Sequence, residues 1–223
     1  MIDHARVRRM MVDNQLRTYD ITDLGVLSAM NAVPREVFAP ADAASVVYAD
    51  QPLAVARGAD GEARQLLPPM IFARMVQHLE LRDGDTLLIV AGALGYEAAV
   101  AARLGAKVVV AEPDAALAAA TRDNLAAVGA DGVEVVEKAY DARIAGDDGF
   151  PAILINGAVQ RRPDELLGQL CEGGRLVAVV GDGGRTSRAT LFVRNGDVFG
   201  ARPLFDAAAP ALAAFREEAG FVF

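Results

Sequence analysis

The sequence predicts an α/β fold built on a mostly parallel, doubly wound sheet, and three observations predict it. From residue 71 onward short apolar runs alternate with amphipathic stretches of helical spacing, and strands that alternate with helices pair in parallel through right-handed crossovers. The run LLIVA at residues 87–91 is apolar throughout, as a strand covered on both faces requires. Directly after it, AGALGY at residues 91–96 reads as a tight, glycine-containing turn that opens a helix, the place in such folds where a ligand meets the backbone.

The elements follow in order. Residues 5–19 read as a helix with Val7, Met10, Met11, Gln15 and Leu16 near a helical spacing. A second helix starts at residues 20–23, DITD, where Asp20 and Thr22 are capping candidates, and ends before Pro34. Residues 48–70 hold Pro52, Pro68, Pro69 and two glycines, Gly58 and Gly61, and read as a long irregular segment that carries apolar Leu53, Val55, Leu66 and Leu67; long loops of this kind are often functional. Then come a helix at IFARMVQHLEL, strand LLIVA, helix YEAAVAARLG, strand KVVVAE, helix DAALAAATRDNLAAVG, strand VEVVE, strand AILINGA, helix PDELLGQLCEGG and strand RLVAVVG. Two β-rich runs around NGD at residues 195–197 close the chain as an antiparallel hairpin. Residues 1–70 thus form a helical preface and loop, residues 71–223 the core, and the whole reads as a single domain.

Composition narrows the function. The 223 residues are 53% hydrophobic and carry a net charge of −8, which argues against a general nucleic-acid or anionic-membrane binder, because such surfaces are held by clustered Lys and Arg. The one basic cluster, RVRR at residues 6–9, reads as a solvated helix face. A lone cysteine, Cys171, excludes an internal disulfide and fits a reducing compartment, so the cytoplasm is expected; it reads as a helix-end residue. His4 and His78 are the only histidines, so no metal centre is expected and most Ser-His-Asp arrangements are excluded. His78 reads as an ordinary helix residue.

The turn and the strand after it carry the functional signal. Gly92 and Gly95 allow close backbone approach to a cofactor, and Glu112, 17 residues after Gly95 at the end of the next strand, stands near the spacing of an acid that accepts hydrogen bonds from ribose hydroxyls. The competing reading is a tight turn, close helix packing and an ordinary strand-end acid. Tyr140 and Asp50 are candidates to line the pocket, with packing or turn roles as the alternative. GDGGRTSR at residues 181–188 lacks the end of a phosphate-binding loop and reads as a connection into the hairpin, while RRPDE at residues 161–165 reads as a helix start.

Larger motifs add a resemblance. MVDNQL at residues 11–16, VLSAMNAVPREVFAP at 26–40, YADQPL at 48–53, GYEAAVAARLGAKVVVAE at 95–112, LLGQLCEGGRLVAVVG at 166–181 and RPLF at 202–205 resemble the protein-L-isoaspartate O-methyltransferase family. The pair VPREVFAP and YADQPL is the most specific. The resemblance implies a Rossmann-like S-adenosylmethionine-dependent methyltransferase fold and carboxyl methyl transfer to isoaspartyl residues of a peptide or protein. It also implies a donor site at Gly92, Leu94, Gly95 and Glu112, and Asp50 and Gln65 facing the peptide. It singles out no catalytic residue.

Three departures from the family pattern bear on activity. Gln65, Leu66, Leu67 and Pro68 stand where the family has Thr-Ile-Ser-Gln; Ile89 and the turn 91–95 replace an acid followed by Gly-Thr-Gly-Ser-Gly; and Lys138, Ala139 and Tyr140 fall on an adenine-holding Gly-Asp-Gly, with Asp141 displaced. A hydrogen bond to a charged group is worth about 1.5–3 kcal/mol, so losing two acids implies donor affinity weakened by about 100-fold or more, or lost. Methyl transfer asks mainly for alignment of carboxylate and methyl, so weak donor binding is the limiting departure. The alternative is a non-catalytic pseudoenzyme that serves as a ligand-binding or protein-interaction module.

Overall fold

The computed structural model describes residues 2–217. The chain enters through α1 (His4–Met11), capped by Asp3, whose carboxylate accepts from the Arg6 amide. It continues through one π-helical turn at Val12–Leu16, so the helix expected over residues 5–19 exists with a change of pitch. Met11 and Leu16 are buried, whereas Val7 and Met10 are exposed; the wider pitch rotates the apolar face and only its later part reaches the core. In α2 (Leu24–Ala32) the cap is Asp23, not Asp20 or Thr22. Gln77 Oε1 accepts the free amides of Thr22 and Asp23, which leaves Thr22 no capping role.

Residues 48–70 are irregular only in part. They contain an antiparallel two-stranded sheet, β1 (Leu53–Arg57) and β2 (Ala63–Leu66), with a bulge between Ala54 and Ala56. Glycines and prolines at the ends of both arms masked the short strands. Beyond them lie α3 (Pro69–Leu79), β3 (Thr86–Val90), α4 (Tyr96–Arg103), β4 (Lys107–Ala111), α5 (Ala115–Ala127), β5 (Glu134–Val136) and β6 (Phe150–Val159). The chain ends in α6 (Asp164–Leu167), β7 (Leu170–Val180), β8 (Arg188–Asn195) and β9 (Val198–Asp206).

The main sheet runs β5-β4-β3-β6-β7-β8-β9, parallel from β5 to β7 and antiparallel at β8 and β9. The hairpin turn falls at NGD as expected, with Gly196 at φ 61°. The helix expected over PDELLGQLCEGG is a single turn: Cys171, Glu172, Gly173 and Gly174 belong to β7, and Gly173 sits at φ 71°, a conformation that helix interiors do not use. Cys171 is therefore a partly exposed strand residue.

β3 explains the two-sided core. Leu87, Leu88, Ile89 and Val90 are all fully buried. Leu87 and Ile89 face a cluster with α1 to α5, while Leu88 and Val90 face Phe150, Leu166, Leu212 and Phe215. The first face is covered by helices, the second by α6 and loop segments. After β3 the chain steps outward to β4 and β5, then crosses to β6 on the other side of β3. The switch point lies between the carboxyl ends of β3 and β6, where ligands enter open α/β sheets.

Candidate functional site

The turn after β3 is tighter than its composition suggests. Ala91 and Ala93 lie at φ 60° and 47°, in the left-handed region that glycine enters freely and alanine enters at a cost of about 1–2 kcal/mol. Both side chains are buried. Gly92 has no room for a side chain, because a Cβ there would come to 3.1 Å from Ile89 and 3.2 Å from Val110. Gly95, at φ 101°, caps α4 and lets Thr121 and Leu125 of α5 pack against it. The Leu94 carbonyl accepts from Asn124. Both glycines thus serve packing as well as any backbone approach to a ligand.

Glu112 follows β4 at the same end of the sheet and is fully buried. Its carboxylate accepts from Arg64 Nε at 3.0 Å and Arg64 Nη2 at 2.9 Å, from Tyr140 Oη at 3.1 Å, and from the Asp114 amide at 3.0 Å. A carboxylate offers about four lone-pair sites, so these four donors fill it. Arg64 arrives from β2 and is itself 4% exposed. Burial opposes its charge, but hydrogen bonds to Glu112 and Asp60 hold the guanidinium more firmly protonated than usual. Burial, then the Glu112 charge, pushes the Tyr140 phenol well above its ordinary range. At this position Tyr140 is a neutral donor.

Around this pair the hairpin is tied down at several points. Asp60 bonds Arg64 Nη2 at 3.1 Å; burial alone would raise its carboxyl, and the bonds from Arg64 and the Glu62 amide bring it below the usual range. The Ala59 amide donates to Asp114 at 2.7 Å. Asn156, in β6 one residue past its pairing with β3, donates to the Ala91 carbonyl at 3.0 Å and the Gln65 carbonyl at 3.3 Å, so one side chain joins the β3 turn, β6 and the hairpin. Of the residues expected on the peptide side, Asp50 accepts from the Met70 amide and secures the start of α3, and Gln65 contributes its backbone carbonyl to Asn156. Leu67, where the family carries a hydroxyl, is fully buried.

A second buried polar group lies at the start of α4. Arg35, fully buried, donates to the carbonyls of Val47 and Leu67, both at 2.8 Å, and its guanidinium sits 4.8 Å from the Tyr96 ring centroid. Tyr96 also packs edge-on against Phe38. Beside it, Glu97 is buried with no hydrogen-bond partner on either carboxylate oxygen, and burial raises its carboxyl to about 7.

The sequence signalled Glu112, Gly92, Leu94 and Gly95, and the structure gathers them at one end of β3 and β4. Arg64 and Asn156 escaped it: an arginine in a stretch that reads as an irregular loop reads as solvent-facing, and an asparagine in an apolar strand carries no motif. The available hint for Arg64 was its place two residues before Leu66, on the same buried face of β2, and for Asn156 its place inside the apolar run AILINGA.

A mostly parallel sheet with its switch point at β3 and β6, a glycine-containing β3 turn and a strand-end acid define a Rossmann-like methyltransferase fold. Residues 6–202 match the family described as Protein-L-isoaspartate(D-aspartate) O-methyltransferase (PCMT). A protein-L-isoaspartate O-methyltransferase of Methanoculleus marisnigri is 38% identical over 193 residues, 86% of each chain, and one of Methylorubrum extorquens is 39% identical over 202 residues, 90% of this chain and 85% of that one. The fold is shared with a solved protein-L-isoaspartate O-methyltransferase at a TM-score of 0.80 and 22% identity, covering 92% of this chain and 66% of that one. It is also shared with a Plasmodium falciparum structure, titled as a putative enzyme of this kind in complex with S-adenosyl-L-homocysteine, at a TM-score of 0.72 and 18% identity, covering 92% and 97%. The chain belongs to the protein-L-isoaspartate O-methyltransferase family.

Among the described residues no group of His, Cys, Asp and Glu is arranged to hold a metal ion, and no helix is long and apolar enough to cross a membrane.

Proposed function

We propose that this chain is a protein-L-isoaspartate O-methyltransferase-like protein whose reaction class is carboxyl methyl transfer from S-adenosylmethionine to isoaspartyl residues of a peptide or protein, and whose hold on that donor is weak. The observation that carries the reading is Glu112: the acid stands at the strand end where this fold meets ribose, yet four donors of the protein itself fill its carboxylate. With Arg64 in place the residues do not fit the donor. Gly92, Leu94 and Gly95 would give the backbone approach, and Asp50 and Gln65 lie on the peptide side. The family relation supports the substrate class. The free Cys171 agrees with a cytoplasmic setting, and residues 1–223 are read as one methyltransferase-like domain.

Titration calorimetry with S-adenosylmethionine and S-adenosylhomocysteine tests the reading, followed by methylation of an isoaspartyl peptide. Binding near about 0.1 mM, abolished in Glu112→Gln and accompanied by slow peptide methylation, is expected. A second reading, a non-catalytic ligand-binding or protein-interaction module, is favoured by the closed turn, with buried Ala91 and Ala93 and with Ile89 buried where the family carries an acid. No heat at millimolar-range donor would leave that reading alone.

A further inference from the structure

The same carboxylate that would take a ribose is held by the far part of a hairpin whose apolar anchors lie at its base. β1 and β2 form a sheet of their own, separate from the seven-stranded one, and an isolated two-stranded hairpin is marginal by itself. Its base is packed on the core through fully buried Leu66, with Leu53 and Val55 beside it, and joined to Asn156 at the Gln65 carbonyl, whereas its far end is set by polar ties: Arg64 to Glu112, Ala59 to Asp114, and Arg216 and the Ala213 amide to Glu62 at 3.3 and 3.4 Å. Arg64 also has two carboxylates within reach. Glu112 is 1% exposed at its side chain and belongs to the core, while Asp60 is 43% exposed and travels on the hairpin with Arg64. When the hairpin lifts, Arg64 can leave Glu112 and still keep a charged partner, while the buried Glu112 retains the Tyr140 hydroxyl and the Asp114 amide as donors and needs the incoming hydroxyls to offset the loss of its cation.

We propose that the β1–β2 hairpin is a displaceable internal plug of the nucleoside site, in which Arg64 takes the place of the ribose hydroxyls on Glu112 and Asp60 receives Arg64 when an adenosine-type ligand enters. Arg64 is then the residue that decides whether such a ligand is admitted. The proposal rests on the reading of Glu112 as the ribose acid and adds the competitor and its route of release. Tyr140 stays on Glu112 in both arrangements, because it comes from the loop after β5 and not from the hairpin.

The test titrates adenosine, which carries ribose and base without the methionine moiety, into the wild-type protein, Arg64→Ala and Asp60→Asn, with amide exchange followed over residues 53–66. Arg64→Ala is expected to bind adenosine about tenfold tighter or more, since one charged competitor is gone. Asp60→Asn is expected to bind more weakly than wild type, because Arg64 loses its alternative partner, and saturating adenosine is expected to speed exchange of the wild-type hairpin. Should Arg64→Ala not fold, Asp60→Asn and the exchange measurement decide. Equal adenosine affinity in wild type and Arg64→Ala, or unchanged affinity in Asp60→Asn together with unchanged hairpin exchange, overturns the plug and leaves Glu112 as the ribose acid. Binding by none of the three proteins overturns the plug together with that reading.

Discussion

Asn156 donates its side-chain amide to the Ala91 carbonyl at 3.0 Å across the switch point, and the same nitrogen reaches the Gln65 carbonyl of the hairpin at 3.3 Å. Its Oδ1 is buried without a partner, so all the bonding falls on the donor side. The residue is 1% exposed, and a buried acceptor that loses its donor costs about 1–3 kcal/mol. Asn156→Ala is expected to lower stability by that amount and to speed amide exchange in β2 more than in β8. Asn156→Asp is expected to cost more, because a carboxylate would face two carbonyls. Urea denaturation with residue-resolved exchange checks both; equal exchange changes in β2 and β8 would mean that Asn156 is core packing and not a tie.

Glu112 and Arg64 predict a non-additive cycle. Glu112→Ala leaves a buried guanidinium with Asp60 as its one charged partner and the Glu62 carbonyl beside it, and breaking a buried pair from one side costs about 3–5 kcal/mol. Arg64→Ala is expected to cost less, because Tyr140 and the Asp114 amide still donate to Glu112. The double substitution should cost less than the sum, with a coupling of roughly 1–3 kcal/mol. Denaturation midpoints of the four proteins measure it. Simple additivity would show that the pair contributes nothing as a pair.

Much of this was legible in the sequence, and the boundary falls at a definite place. Local patterns found β3, β4, α4, α5 and the β8–β9 turn, because each is specified by its own residues: the unbroken apolar run of β3, the spacing of α4, the NGD turn. Spacing along the chain also placed Glu112 relative to Gly95. What it did not reveal was occupancy of the site. Arg64 reaches Glu112 across 48 residues and Asn156 reaches Gln65 across 91, and no local pattern encodes those approaches. The helix extended through Cys171 failed for a related reason: LLGQLC has helical spacing, but the β6–β7 pairing of Phe150 with Leu170 recruits its second half into the sheet.

The two alanines of the β3 turn make a separate stability prediction. Ala91 and Ala93 hold φ of 60° and 47°, where glycine relieves the Cβ clash but costs unfolded-chain entropy. The balance favours Ala93→Gly by roughly 0.5–1 kcal/mol; its side chain packs in the core, so the gain sits at the low end. Ala91→Gly, at a residue packed in the core on the other face of the sheet, is expected to gain a similar amount. Thermal unfolding reads the change. A loss of more than about 1 kcal/mol in both variants would mean that methyl packing outweighs the left-handed strain at this turn.

Glu97 predicts how stability depends on pH. Burial raises its carboxyl from 4.5 to about 7 against the opposing charge of Arg35, and neither oxygen has a partner. The neighbouring Tyr96 phenol, also without a partner, is pushed up to about 12 by the same burial and stays neutral throughout. For an acid whose folded pKa lies above its unfolded one, the unfolded chain releases the proton first. Stability is therefore greatest below about pH 4.5 as far as this group is concerned, falls as pH rises to about 7, and levels off above. The span corresponds to roughly 3 kcal/mol. Glu97→Gln removes the ionisation while keeping the shape, so it should match wild type at the acidic end and exceed it by that margin above neutral pH. Urea midpoints of the two proteins across this range test it. Their difference isolates Glu97 from His78 and from the carboxylates that titrate in both. A difference that stays constant with pH would show that Glu97 finds a partner when it ionises.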